Sequence, residues 1–269
     1  MKVIYKTVRI KFHDWLSEFL RRKTKKYIVH KFIDQTSIKD LIESFNIPHT
    51  EVDVIIVNGK SVNFNYLVQN DDRIEVFPES KRYFNFNVYH LKPKLKGRPK
   101  FICDVHLGKL FKIMRMSGLD VLYSNNYTDE EIVEISKKDD RIILTRDTGL
   151  LKRKNVKYGH LVRGNNPEKQ FLDILVSYSL LKYLKPFSLC LNCGTKLKRI
   201  SKKNVLNQLK DFKFREGIKF YYCKQCNQTL WEGSHFDNMK KRIDALLLPL
   251  RSTAFRSFVT KQFNQKRKA

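Results

Sequence analysis

Apolar residues change their spacing repeatedly along the chain, and each change marks an element. Val3, Tyr5, Val8, Ile10 and Phe12 follow a period of two broken once, and Tyr27–Phe32 is a second run of the same kind, so both predict strands. Ser37 to Phe45 switches to helical spacing, with Ile38, Leu41, Ile42 and Phe45 on one face. Val52–Val57 and Arg73–Phe77 return to strand, and Asn58-Gly59 supplies a turn after the first of them. Further on, Phe101-Ile102-Cys103-Asp104 is a short apolar run ending in a carboxylate. His106 to Met116 then has helical spacing, closed by Gly118. Leu119–Tyr123 reads as strand, and Thr128-Asp129-Glu130-Glu131 opens a helix as a capping box. Ile142–Asp147 is another apolar strand ending in a carboxylate, Gly159–Arg163 reads as a fourth strand, and Phe171–Leu184 as an amphipathic helix ended by Pro186.

Two strands, a helix and further strands predict a ubiquitin-like β-grasp domain over residues 1–79. Its final strand runs on through Pro78, which argues against a covalent carrier and for a recognition surface. Residues 80–99 read as a linker. Lys92–Pro99 has the Pro, Gly and charge of an exposed connection, and Tyr83, Phe84, Phe86 and Tyr89 are expected to pack on a neighbouring domain, with base stacking as the alternative. Alternating strands and helices over residues 100–186 predict an α/β unit with a parallel sheet flanked by helices. Ligands of such sheets sit beyond the carboxyl ends of the strands. Asp104 and Asp147 occupy strand ends of that kind.

Carboxylates gathered at one sheet edge repel one another unless a hard cation neutralises them, and oxygen ligands suit Mg²⁺ or Mn²⁺. Such ions activate water for attack on a phosphodiester. The competing reading is plain: Asp after a strand is a common helix cap, and Asp129 and Glu130 complement a helix dipole.

The run Asp104-x-x-Leu107-Gly108-Lys109-Leu110, then Arg115-Met116-x-Gly118-x-Asp120, Thr128-Asp129-Glu130-Glu131-Ile132 and Arg141-Ile142-Ile143-Leu144-Thr145-Arg146-Asp147 resembles the PIN-like RNase family with a fused zinc ribbon. That family is named for the C-terminal region of a nematode transposon-silencing exonuclease. The resemblance spans about Lys100 to Leu246, and the first eighty residues resemble the ubiquitin-like domain that often precedes it. It implies a PIN-like fold and a metal-dependent ribonuclease, with Asp104, Asp129 and Asp147 at the positions of the acidic cluster; the expected ligands of Mg²⁺ or Mn²⁺ are Asp104, Asp147 and Asp129 or Glu130. A fourth ligand is not securely placed; Asn165, Asn166 and Asp173 are candidates.

The sharpest chemical signal is Cys190-x-x-Cys193-Gly194 followed by Cys223-x-x-Cys226-Asn227. Both pairs have zinc-knuckle spacing, and four thiolates leave no open position for water, so the zinc is expected to be structural. Cys103, inside a strand, is expected to be an inert buried thiol. Trp231-Glu232-Gly233-Ser234-His235 resembles a family motif. His235 is a candidate proton donor or phosphate ligand, or a partner of the ribbon itself, and Trp231 packs or stacks.

Charge decides the partner. The 269 residues carry 54 Lys and Arg against 27 Asp and Glu, a net +27, and the expected partner is a polyanion. The excess is steep after Lys196, where residues 237–269 read as a helix with a basic tail containing Lys240-Lys241-Arg242, Lys261 and Lys266-Arg267-Lys268. Lys109, Arg115, Arg146 and Arg163, with the run Lys152-Arg153-Lys154, are the expected phosphate contacts around the acidic edge. Arg21-Arg22-Lys23-x-Lys25-Lys26 forms a hairpin tip that either touches phosphate or is a solvated loop. No run is long enough to span a membrane, and no signal-peptide core opens the chain, so a cytoplasmic protein is expected, with its cysteines reduced. Two other classes compete: a catalytically silent RNA- or ribosome-binding module, and an adaptor that recruits a protein partner through the ubiquitin-like domain. DNA stays open as a substrate, because phosphate contacts do not report the sugar.

Overall fold

A computed structural model describes residues 5–78, 88–95, 97–206 and 216–251. Val3, Tyr83, Phe84, Phe86, Lys261, Lys266, Arg267 and Lys268 lie outside the described residues. In chain order the elements are β1 (Lys6–Phe12), β2 (Ile28–Phe32), α1 (Ile38–Ser44), β3 (Val52–Val57), β4 (Lys60–Val62), β5 (Arg73–Pro78), β6 (Phe101–Cys103), α2 (Gly108–Met116) and β7 (Val121–Leu122). They continue with α3 (Asp129–Asp139), β8 (Ile142–Thr145), α4 (Thr148–Lys152), β9 (Gly159–Leu161), α5 (Pro167–Ser177), β10 (Lys198–Ile200), α6 (Lys203–Leu206), β11 (Phe220–Cys223), β12 (Gln228–Trp231) and α7 (Ser234–Arg251). Among these residues, those of Met1–Gly97 and Thr128–Val162 form one compact unit, and those of Arg98–Tyr127 and Arg163–Val259 form the other.

In the first unit a five-stranded sheet has the order β2-β1-β5-β3-β4. β1 pairs antiparallel with β2 and parallel with β5, the arrangement expected of a β-grasp. Asn58 and Gly59 turn β3 into β4 with φ of 49° and 82°, as an Asn-Gly hairpin requires. The inward positions of β1, Val8, Ile10 and Phe12, pack with Ile38, Leu41 and Ile42 of α1, and Ser37 caps that helix by accepting from the Asp40 N–H. β4 was not anticipated, since three residues after a turn carry too little pattern. In the same unit Thr128 and Glu131 close the expected capping box at the start of α3, and β8 and β9 pair in parallel.

The connection from α1 to β3 grips α4 and β9. Asn46 Oδ1 accepts from Lys152 Nζ at 2.8 Å and from Thr148 Oγ1 at 3.2 Å. His49 lies between the Glu43 carboxylate, 2.7 Å from Nδ1, and the Val156 carbonyl, 2.9 Å from Nε2. Glu51 is buried and accepts the Leu161 N–H of β9 at 2.8 Å. A Cβ at Gly159 would lie 2.5 Å from Leu151 Cδ2 and 3.2 Å from Thr50 Oγ1, so a larger residue there must displace the Leu151 side chain.

In the second unit β6 and β7 pair in parallel, and β10-β11-β12 form a separate antiparallel sheet. The predicted helix from His106 begins as a short 3-10 turn, Val105–Leu107, capped by Asp104, before α2 proper. The helix predicted over Phe171–Leu184 starts earlier and ends sooner. Asn166 caps it by accepting from the Glu168 and Lys169 N–H groups, Pro167 opens it, and Ser179 at φ 51° breaks it ahead of a 3-10 turn, Leu180–Tyr183. None of the described helices is long and apolar enough to cross a membrane.

Candidate zinc centre and acidic strand ends

The four cysteines come together as the spacing predicts. Their sulfurs all lie within 4.8 Å of one another, with Cys190 and Cys226 3.9 Å apart and Cys193 and Cys223 3.4 Å apart. A tetrahedral zinc with bonds of about 2.3 Å requires sulfurs about 3.8 Å apart, so this donor set fits that ion. Each knuckle turns as such sites require. Gly194 has φ 81° and donates to the Cys190 carbonyl at 2.9 Å, while Asn227 has φ 52° and the Cys226 N–H points at Cys223 Sγ at 3.5 Å. The four thiols are not equivalent. Burial works to raise Cys193, but the Thr195 hydroxyl and N–H outweigh it and hold the thiol down at about 6. Cys226, sharing a hydrogen bond with Cys193, is pushed up.

Arg115 corrects an expectation. It is 3% exposed, and its guanidinium donates to the Cys190 carbonyl at 3.2 Å and to the Val121 carbonyl. A Cβ on Gly194 would collide with that guanidinium. Arg115 is therefore a strut tying α2 and β7 to the first knuckle, not a surface cation for phosphate. The chain between α5 and the ribbon is tied to the end of α2 as well, through Lys185 N to Ser117 O at 3.1 Å and Phe187 N to Met116 O at 2.9 Å.

The acids divide between the units. Asp104, at the carboxyl end of β6, is 5% exposed and accepts the His106 N–H at 2.8 Å. Asp147, two residues past β8, is exposed and caps α4 through Gly149 N at 2.7 Å. Asp129 and Glu130 open α3, where Arg153 spans them, with Nη1 2.6 Å from Glu130 and Nη2 3.1 Å from Asp129. The hydrogen bond from Arg153 holds the Glu130 carboxyl below its usual range.

This contact gives part of the predicted phosphate-binding flank a partner within the fold. Arg153 is engaged by two acids and Lys152 by Asn46, so two cations of the Lys152-Arg153-Lys154 run serve the fold. Lys109 is exposed on the first turn of α2, Arg146 is exposed just past β8, Arg163 is half-buried, and His235 is exposed on the first turn of α7. Of the fourth-ligand candidates, Asn166 is occupied as a cap, Asn165 is exposed and Asp173 is half-buried on α5. Cys103 is fully buried, and burial pushes its thiol up, which suits an inert role. Sequence reasoning missed Arg153, Asn46 and Glu51 as structural residues. The basic run was a visible signal for Arg153, but its partners, 23 and 24 residues away, were not.

Compared with known protein families, residues 99–243 match the Mut7-C RNAse domain. The chain belongs to that family. Residues 5–83 match the Mut7-C ubiquitin domain, so the amino-terminal sheet and the cysteine cluster fall in the order that the sequence resemblance implied. Neither a curated protein nor a solved structure matches the chain. In this Mut7-C RNAse domain the ribbon gathers four sulfurs into a donor set that could hold a zinc ion with no position left for water.

Proposed function

We propose that the chain is a metal-dependent ribonuclease of PIN type, cutting RNA internally, with the zinc ribbon and the basic C-terminal residues holding the strand. The observation that carries this reading is the match of residues 99–243 to an RNAse domain. The charge of +27 supports a polyanionic substrate. Asp104, Asp147 and one of Asp129 and Glu130 are the proposed ligands of Mg²⁺ or Mn²⁺. Carboxylate oxygens are the donors such ions prefer, and Asp104 and Asp147 each follow the carboxyl end of a parallel strand. Bound there, the ion supplies a lowered pKa for the attacking water and charge neutralisation at the phosphate.

The chain's own residues have separate duties. Asp104 and Asp147 are oriented by the backbone N–H groups of His106 and Gly149, which fix each carboxylate's direction. Lys109, Arg146 and Arg163 are the proposed phosphate contacts. His235, at the start of α7, is the proposed donor to a phosphate or leaving oxygen. Trp231 offers a ring face for a base. Localisation in the cytoplasm belongs to the same proposal.

A second reading has its own support. Arg153 already neutralises Asp129 and Glu130, which leaves less need for a cation and favours a silent RNA- or ribosome-binding module. Incubating end-labelled single-stranded RNA with the zinc-loaded protein separates the two. Cleavage that requires added Mg²⁺ or Mn²⁺ and disappears in Asp104→Asn/Asp147→Asn supports the nuclease; binding without cleavage across several RNAs supports the silent module.

A further inference from the structure

Among the described residues, one face of the amino-terminal sheet is open. α1 covers the side bearing Val8, Ile10 and Phe12, and strand alternation turns Thr7, Arg9 and Lys11 to the other. Across the sheet Arg9 stands between Val29 of β2 and Arg73 of β5, Thr7 lies beside Lys31, and Lys11 beside Glu75. Arg9, Lys31 and Arg73 are exposed. So are Tyr5 at 58%, Val29 at 65% and Ile33 at 49%. Arg73 stacks 4.8 Å over the Tyr27 ring and donates to its hydroxyl at 2.8 Å, and Lys11 Nζ lies 5.8 Å from the same ring. Glu75 is compensated within the face, accepting from Tyr27 Oη at 2.6 Å and His13 Nε2 at 2.9 Å. The β1–β2 connection adds exposed Arg21, Arg22, Lys23, Lys25 and Lys26 alongside.

We propose that this face is a second nucleic-acid site, binding single-stranded RNA through Arg9, Lys11, Lys31 and Arg73 with Tyr5 and Val29 against bases. Cations alone would accept any polyanion. Their interleaving with aromatic and aliphatic side chains on a flat sheet suits a strand that presents phosphates and ring faces together. An acidic peptide offers the charge without the rings. The site rests on the nuclease reading for the choice of RNA, but not for its existence: it would hold RNA whether or not the acids cut.

The test is fluorescence anisotropy of the full-length, zinc-loaded protein with an end-labelled oligouridine of about 15 nucleotides, over a range of KCl and without added divalent ions. Arg9→Ala/Lys31→Ala should weaken binding at every salt concentration and make the log–log salt slope shallower by about 1.4, the share of two phosphate contacts on a single strand. Lys137→Ala/Lys138→Ala, which removes the same charge from exposed positions on α3, should leave both nearly unchanged. Arg9→Lys/Lys31→Arg should bind as the parent does, which guards against a folding artefact. Equal losses in both alanine pairs, or none in either, overturns the proposal, as does competition by a polyglutamate peptide matching that of unlabelled RNA. Binding that behaves as expected in a protein that never cleaves would sink the nuclease reading and leave this site standing.

Discussion

The β-grasp sheet and the zinc ribbon are both small β structures, yet different forces hold them. In the β-grasp, residues of β1, β3, β5 and α1 bury a continuous apolar core that includes Ile10, Phe12, Ile42, Ile55 and Ile74. The ribbon has three strands of three or four residues, and two of its buried residues are Cys190 and Cys223 of the sulfur cluster. The first is stabilised by area removed from water; the second carries a sulfur cluster that could add coordination bonds to a zinc ion. A short sheet of that size does not bury enough to stand alone.

The largest expected effect sharpens this contrast. Cys223→Ser should abolish zinc binding, because three sulfurs do not close the shell, and binding energy on the order of 10 kcal/mol is folding energy in such sites. Zinc per chain should fall to zero, and hydrogen exchange should lose protection in β10–β12 while β1–β5 stay protected. Protection lost in both sheets would break the contrast. The mirror experiment is Ile42→Ala. A fully buried isoleucine cut to alanine should cost about 2–5 kcal/mol in urea unfolding, with zinc content unchanged.

Gly194→Ala comes next. It forces a side chain into φ 81° and against the Arg115 guanidinium, so zinc should pass to a competing chelator more readily, with about 1–3 kcal/mol of knuckle stability lost. Glu51→Ala strips the Leu161 N–H of its acceptor and should cost about 1–3 kcal/mol, seen as faster exchange at that amide. Tyr27→Phe should have the smallest effect. Burial works to raise Glu75, but hydrogen bonds from Tyr27 and His13 win and hold its carboxyl low. A depressed carboxyl adds stability above the ordinary glutamate range and loses it as pH falls through the folded value. Removing the Tyr27 hydroxyl raises that value, so the acid transition should move to higher pH.

Legibility in the sequence followed the range of the interaction. The Asn58-Gly59 hairpin, the Thr128 capping box and the Cys-x-x-Cys knuckles are each complete within a few residues, and their chemistry demands those residue types. The start of α5 was equally local, in Asn166-Pro167, but the apolar period drew attention past it to Phe171. Arg115, Arg153 and the Asn46–Glu51 grip were not legible. A cation in a helix or a basic run looks the same whether it faces phosphate or, as Arg115 does, a carbonyl 75 residues away. For the acids, the sequence offers two roles at once, since Asp104 and Asp147 serve as helix caps while keeping the chemistry of a metal ligand.

The most direct test of zinc as scaffold and carboxylate as reagent measures zinc content and RNA cleavage in Asp104→Asn. The substituted side chain keeps an oxygen to cap the His106 N–H, so the variant should fold, retain one zinc per chain and cut no RNA in Mg²⁺ or Mn²⁺. Cleavage at the parent rate with zinc in place would contradict it.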